Sequence, residues 1–161
     1  MKLLIIGLGS IGKRHIRNLI KLKINPKNIT GFDPRVDRIN EVKKYGVSNF
    51  LKTLDKIKSK EFDGAFICSP TSYHISQSIK LARKNINLFI EKPLDSKIKN
   101  VEKLLKLEKK NKIKILITYP FRFSEHANTF KKLVDKKIVG KPLYFKGEFS
   151  EYLPDWHPYE K

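Results

Sequence analysis

The chain has 161 residues, with 35 lysines and arginines against 16 aspartates and glutamates, a formal net charge of +19 and one cysteine. That length encloses one well-buried core and the beginning of a second rather than two full domains. A single cysteine excludes an internal disulfide, and no run approaches the roughly 18–20 consecutive apolar residues of a membrane span. The basic residues are scattered over the polar helix faces, without zinc-ligand spacing or an aromatic-interleaved basic motif. The charge therefore predicts salt-sensitive adhesion to polyanions and no specific nucleic-acid or membrane partner. With no basic, then apolar, then small-residue leader at the N-terminus, the chain reads as a cytoplasmic protein.

The first predicted element is a strand over Leu3–Ile6, which runs into Gly7-Leu8-Gly9-Ser10-Ile11-Gly12 and then a helix from Ser10 to about Leu22. Ile11, Ile16, Leu19, Ile20 and Leu22 keep helical spacing, and Lys13, Arg14, Arg17 and Lys21 take the other face. The three glycines differ in what they make possible. Gly7 permits the tight turn, Gly9 lets the backbone approach a pyrophosphate, and Gly12 lets the helix pack closely on the strand. The unpaired N–H groups of the helix N-terminus then favour an anion without any side-chain charge.

A short strand follows over Ile29–Asp33. Asp33 stands about 20 residues past the glycine turn, where a dinucleotide domain places an acceptor for the adenosine ribose hydroxyls. A carboxylate there accepts from a free 2′-hydroxyl and repels a 2′-phosphate, which favours NAD over NADP. Arg35 is open to two readings, a phosphate partner or a solvated charge on the next helix; the second is favoured.

Helical spacing through Val36, Ile39, Val42 and Tyr45 stops at Gly46, and Val47–Leu51 predicts a strand, followed by a short helix over Asp55–Lys60. Ala65–Cys68 is continuously apolar, as a parallel strand covered on both faces should be. It ends in Ser69-Pro70-Thr71-Ser72-Tyr73-His74, a polar cluster that an open α/β sheet places beside the glycine turn. Cys68 itself reads as a buried, inert thiol. A helix through Ile75, Ile79 and Ala82 leads to a strand over Leu88–Glu91, which runs straight into Lys92-Pro93. A cation at that strand's carboxyl end could orient a substrate hydroxyl or share its proton, or simply pair with Glu91 or a neighbouring carboxylate.

Asp95 or Ser96 then caps a helix whose inward positions are Ile98, Val101, Leu105 and Leu104. Ile113–Thr118 predicts a further strand. Tyr119-Pro120-Phe121-Arg122-Phe123 breaks the rhythm and marks a boundary between a first domain, 1–120, and a second, 121–161. In the second, Ser124–Lys137 predicts a helix with Phe130, Leu133 and Val134 inward, and Leu143–Tyr152 a strand with one covered face. The expected fold is α/β, a Rossmann-type doubly wound parallel sheet followed by the start of an incomplete α+β second domain.

Gly7-Leu8-Gly9-Ser10-Ile11-Gly12 with His15, Asp33, Ser69-Pro70-Thr71 with His74, and Glu91-Lys92-Pro93-Leu94 together resemble the Gfo/Idh/MocA family of NAD(P)-dependent oxidoreductases. The resemblance covers roughly residues 1–120. It implies hydride transfer to or from a sugar, sugar derivative, cyclitol or other polyol, with NAD as cofactor and NADP as the alternative. It gives Lys92 contact with both nicotinamide and substrate, and with it Gly7, Gly9, Ser10, Ile11, Gly12, Asp33, Arg35, Ser69, Pro70, Thr71, His74, Glu91 and Pro93 are expected along the cofactor. The family's aspartate and histidine of catalysis lie in its second domain and have no matching motif here. His157, in a Trp-His-Pro turn, is expected to contact that domain or a substrate loop instead. The expected macromolecular partner is a second copy of the chain or a complementing C-terminal half, and a dinucleotide-binding module without turnover is the alternative function.

Overall fold

The computed structural model describes residues 1–95, 97–148, 150 and 152. The Trp-His-Pro turn and His157 lie outside the described residues, as do Ser96 and part of the strand expected up to Tyr152. The chain forms two compact units, Met1–Tyr119 and Pro120–Lys161.

The first unit is built on a six-stranded parallel sheet. In chain order its elements are β1 (Leu3–Ile6), α1 (Ser10–Lys21), β2 (Ile29–Phe32), α2 (Val36–Lys43), β3 (Asn49–Phe50), β4 (Gly64–Ile67), α3 (His74–Ala82), β5 (Asn87–Ile90), α4 (Val101–Asn111) and β6 (Ile115–Ile117). The spatial order is β3-β2-β1-β4-β5-β6, with every neighbouring pair parallel. This is the doubly wound order in which the chain leaves β1 in one direction for β2 and β3 and returns to its other side for β4.

The position of β1 explains its composition. Leu3, Leu4, Ile5 and Ile6 are all buried because the strand is central and covered on both faces. Alternate side chains enter different layers: Leu4 and Ile6 join Ile67, Ile75, Leu81, Leu88, Ile90 and Leu104, while Leu3 and Ile5 join Ile16, Leu19, Ile29 and Val42. Burial of each such aliphatic contributes about 1.5–3 kcal/mol. One layer therefore carries α3 and α4, the other α1 and α2.

Several expected elements differ. Residues 55–60 are turns and no helix; Leu54 and Ile57 are buried in the α3/α4 layer, so their apolar pattern marks a loop pressed onto the core. The strand expected over Val47–Leu51 pairs only at Asn49 and Phe50. The helix expected from about residue 97 begins at Val101, after Asn100 in the left-handed region (φ 71°). Ile98 is 87% exposed, Leu105 faces outward, and Leu104 is the buried position.

The second unit holds a 3-10 turn, Pro120–Phe123, and α5 (Glu125–Asp135). Ser124 caps α5, its Oγ accepting from the Ala127 N–H at 3.1 Å. Phe130 and Leu133, expected inward, are largely exposed, with Phe130 against Phe145 at a centroid distance of 5.4 Å. Among the described residues no strand forms between 143 and 152; the alternation there finds no strand partner. No helix among the described residues is long and apolar enough to cross a membrane.

Candidate cofactor and substrate crevice

The carboxyl ends of β1, β4 and β5 bring three loops to the edge where the strand order reverses. The first is the glycine turn. Gly7 continues the ladder, its N–H donating to the Phe32 carbonyl at 2.8 Å, and then turns at φ +86°. A Cβ on Gly7 would lie 2.5 Å from the Cys68 carbonyl oxygen, and one on Gly12 would overlap the Gly7 carbonyl. Gly9 differs: a Cβ there would meet only the Arg38 guanidinium, at 3.8 Å. The loop is therefore closed against the protein at Gly7 and Gly12 and open at Gly9.

Helix α1 starts on Gly9 with no side-chain cap and no acidic residue in its first turn. Its first N–H groups, at Ser10, Ile11 and Gly12, have no intrahelical acceptor, because the ladder opens with Lys13 donating to the Gly9 carbonyl. Three donors at a helix N-terminus beside a bare glycine suit a pyrophosphate.

Asp33 follows β2 and reaches back to the glycine turn. Its side chain is only 1% exposed. Oδ2 accepts from the Leu8 N–H at 2.8 Å and from Arg38 Nη1 at 3.4 Å, and Oδ1 accepts from the Arg35 N–H at 2.9 Å. A carboxylate offers about four acceptor sites, so three are taken by the protein and one remains on Oδ1. The Arg35 side chain turns away to Asp37, with Nη2 at 2.6 Å from Oδ2, and is largely exposed. Arg38, which the sequence did not single out, is thus the cation facing both Gly9 and Asp33. Its position one helical turn after Arg35 was the available signal, since both residues open α2.

The loop after β4 is tied to the loop after β5 through His74. The imidazole is buried at 2% exposure, with Nδ1 2.9 Å from the Pro93 carbonyl and Nε2 2.7 Å from the Ser69 carbonyl. Ser69 Oγ donates to Gln77 Oε1 at 2.6 Å, while Pro70 and Thr71 lead into the short 3-10 turn before α3. Cys68 lies beneath; burial, reinforced by the nearby Glu91 carboxylate, pushes its thiol far above the usual range, so it is no nucleophile at neutral pH.

Glu91 does not pair with Lys92. Its Oε1 accepts from His15 Nε2 on α1 at 2.7 Å. Burial alone would raise the Glu91 carboxyl; hydrogen bonds from His15 and Thr118, the charge interaction with His15 and the Lys92 N–H outweigh that and hold it below the usual range. Among the described residues Lys92 makes no ion pair, and it is exposed at the crevice edge. Two shallow surface concavities, one beside α4 (Lys99, Lys103, Lys106) and one at the amino end of the sheet (Lys27, Asn49, Phe62), lie away from this crevice. No group of three histidine, cysteine or acidic side chains is placed to hold a metal among the described residues.

Residues 1–119 match the Gfo/Idh/MocA oxidoreductase family, described as having an NAD-binding Rossmann fold. The chain belongs to this family. As a Gfo/Idh/MocA protein it is 31% identical over 144 residues to a myo-inositol 2-dehydrogenase of Thermotoga maritima, covering 88% of this chain and 43% of that protein. It is 26% identical to scyllo-inositol 2-dehydrogenase (NAD(+)) of Bacillus subtilis, covering 89% and 42%. A Lactobacillus casei scyllo-inositol dehydrogenase, solved with bound cofactor NAD(H) and scyllo-inositol, superimposes with a TM-score of 0.75 at 25% identity over 87% of this chain and 42% of that one. The chain thus spans less than half the length of these relatives.

Proposed function

We propose that this chain supplies the dinucleotide side of an NAD(P)-dependent oxidoreductase site for a sugar, sugar derivative or cyclitol. One observation carries the reading: the open Gly9, the free first-turn donors of α1 and the Asp33 carboxylate line one continuous edge. The donor set fits a dinucleotide. Ser10, Ile11 and Gly12 N–H groups would hold the pyrophosphate, Asp33 the adenosine ribose, and the Ser69-Pro70-Thr71 and Glu91-Lys92-Pro93 loops the nicotinamide end. The bound cofactor would accept or give a hydride. Lys92 would orient a substrate hydroxyl and hold or share its proton, a role suited to a cation unpaired within the described protein.

The inositol dehydrogenases among the relatives support a polyol substrate, and a cytoplasmic location accords with use of the NAD(H) pool. Residues 121–161 are read as opening a second domain, and a second copy or a C-terminal complement as the partner that encloses substrate. A second reading, a dinucleotide-binding module with no turnover of its own, is favoured by the family match itself, which covers residues 1–119 and is described by NAD binding.

Calorimetry of the folded chain is expected to show saturable NAD(H) binding at one site. Absence of heat with both NAD(H) and NADP(H) at millimolar concentration would remove the dinucleotide reading. Substrate-dependent NADH formation by the chain alone, lost in Lys92→Ala, would remove the second reading.

Arg38 sets the response to a 2′-phosphate. Arg38→Ala is expected to weaken NADP about tenfold, the worth of one charge-assisted hydrogen bond, and NAD far less. Arg35→Ala, which removes only an exposed pair with Asp37, is expected to change either by less than about twofold. Equal effects of the two substitutions on NADP would show that Arg38 does not face the ribose.

A further inference from the structure

Lys92 is flanked in sequence by two residues that different helices hold in place. On its amino side, Glu91 is held by His15 of α1 at 2.7 Å; on its carboxyl side, the Pro93 carbonyl is held by His74 at the start of α3 at 2.9 Å. His15 comes from the helix that follows the glycine turn, and His74 Nε2 also stands 2.7 Å from the Ser69 carbonyl in the loop after β4. All three crevice loops therefore meet through two imidazoles, with Lys92 between them.

Packing alone does not call for the first of these contacts. The His15 ring fills the space beside Phe66 and Phe89, at centroid distances of 5.2 and 5.3 Å, which an aliphatic side chain would also do. What the ring adds is one directed N–H for a carboxylate whose side chain is only 15% exposed. A glutamate so held cannot swing to Lys92, so the ammonium stays available to the crevice. The backbone on either side of Lys92 is pinned, which is how a site group is kept within a fraction of an ångström of its working position.

We propose that His15 and His74 are positioning residues that clamp Lys92 from both sides and couple the nicotinamide end of the crevice to the glycine-turn helix. This rests on the dinucleotide reading above. Neither histidine touches the reacting atoms; each acts through the Glu91-Lys92-Pro93 backbone.

The test compares NADH with ADP-ribose, which carries the adenosine and pyrophosphate but no nicotinamide. In the folded chain, His15→Ala is expected to weaken NADH about tenfold, as for loss of one charge-assisted hydrogen bond, and to leave ADP-ribose within about twofold. His15→Gln, which keeps a side-chain N–H for Glu91, is expected to recover most of the NADH affinity. His74→Gln, whose side-chain amide can reach only one of the two carbonyls, is expected to show the same selective loss as His15→Ala. Equal losses for both ligands, or no loss for NADH, would overturn the proposal. Wild-type protein gives an independent arm should a variant fail to fold. Imidazole 15N spectra are expected to show a proton on His15 Nε2 and a signal that moves with NADH but not with ADP-ribose. A bare Nε2, or equal movement with both ligands, would overturn the clamp. If wild type binds neither ligand, the dinucleotide reading itself has failed, a result distinct from any of these.

Discussion

Gly12→Ala is expected to lower the stability of the first unit by about 3 kcal/mol or more, while Gly9→Ala, three residues earlier, costs at most about 1 kcal/mol. At Gly12 the added methyl would stand 3.0 Å from the Gly7 carbonyl carbon and closer still to its oxygen. Both obstacles are backbone, and Gly7 is fixed by its hydrogen bond to Phe32 and its positive φ, so no side-chain rotation makes room. Helix α1 must move off β1, which uncovers Ile16 and Leu19. Against a domain stability of roughly 5–15 kcal/mol this is a large fraction. With a urea dependence of about 2 kcal/mol per molar, the unfolding midpoint falls by about 1.5 M.

Gly9→Ala gives the contrast that makes the test specific. Its φ of −69° suits any residue, and the methyl would meet only a mobile guanidinium tip at 3.8 Å; alanine merely caps a helix less well than glycine. The methyl would occupy the opening a pyrophosphate needs, so NAD affinity should fall while the urea midpoint stays near wild type. Unfolding curves and calorimetry on the two variants should therefore separate a packing glycine from a ligand-facing one. Equal destabilisation by both would contradict the geometry of the turn.

What the sequence shows of this molecule follows from how local each feature is. Leu3–Ile6, Gly64–Ile67 and Asn87–Ile90 could be found because a parallel strand covered on both faces needs a continuous apolar run, and glycine or proline ends each of them nearby. The glycine turn is equally local. The direction of a side chain at a helix start is not: Arg35 and Arg38 are indistinguishable until Asp37 draws one away and Asp33 the other. The His15–Glu91 contact joins residues 76 apart and becomes visible only when α1 is laid beside β5. Ile98 and Leu105 fit a helical period that Leu104 and Leu107 fit as well, and only contact with the α3 layer chooses between them. The alternation from Leu143 has the period of a strand, but a strand exists only with a neighbour, and none pairs with it among the described residues.

Asp33→Ala is expected to cost roughly 2–4 kcal/mol of stability, because it orphans the N–H of Leu8, a residue with no exposure, and frees the N–H of Arg35. The carboxylate is therefore a brace of the glycine turn, whatever it does for the proposed ribose. This bears on how cofactor preference can be altered. Asp33→Arg would remove the repulsion toward a 2′-phosphate, but a guanidinium has no acceptor for Leu8 and no room where the present side chain is 1% exposed. Its first effect would be on the turn and not on preference. Asp33→Asn keeps the shape and one oxygen for the Leu8 N–H, and it removes the charge that repels a phosphate and occupies Arg38. The expected result is a smaller stability loss than Asp33→Ala and a shift of the NADP-to-NAD affinity ratio of about tenfold toward NADP, equivalent to about 1.4 kcal/mol. Paired calorimetric titrations with the two cofactors measure the ratio, and urea unfolding measures the brace. Measured against Arg38→Ala alone, adding Asp33→Asn should then shift the ratio little, because the released guanidinium is what would meet the phosphate; a shift as large as in the wild-type background would assign the discrimination to Asp33 alone.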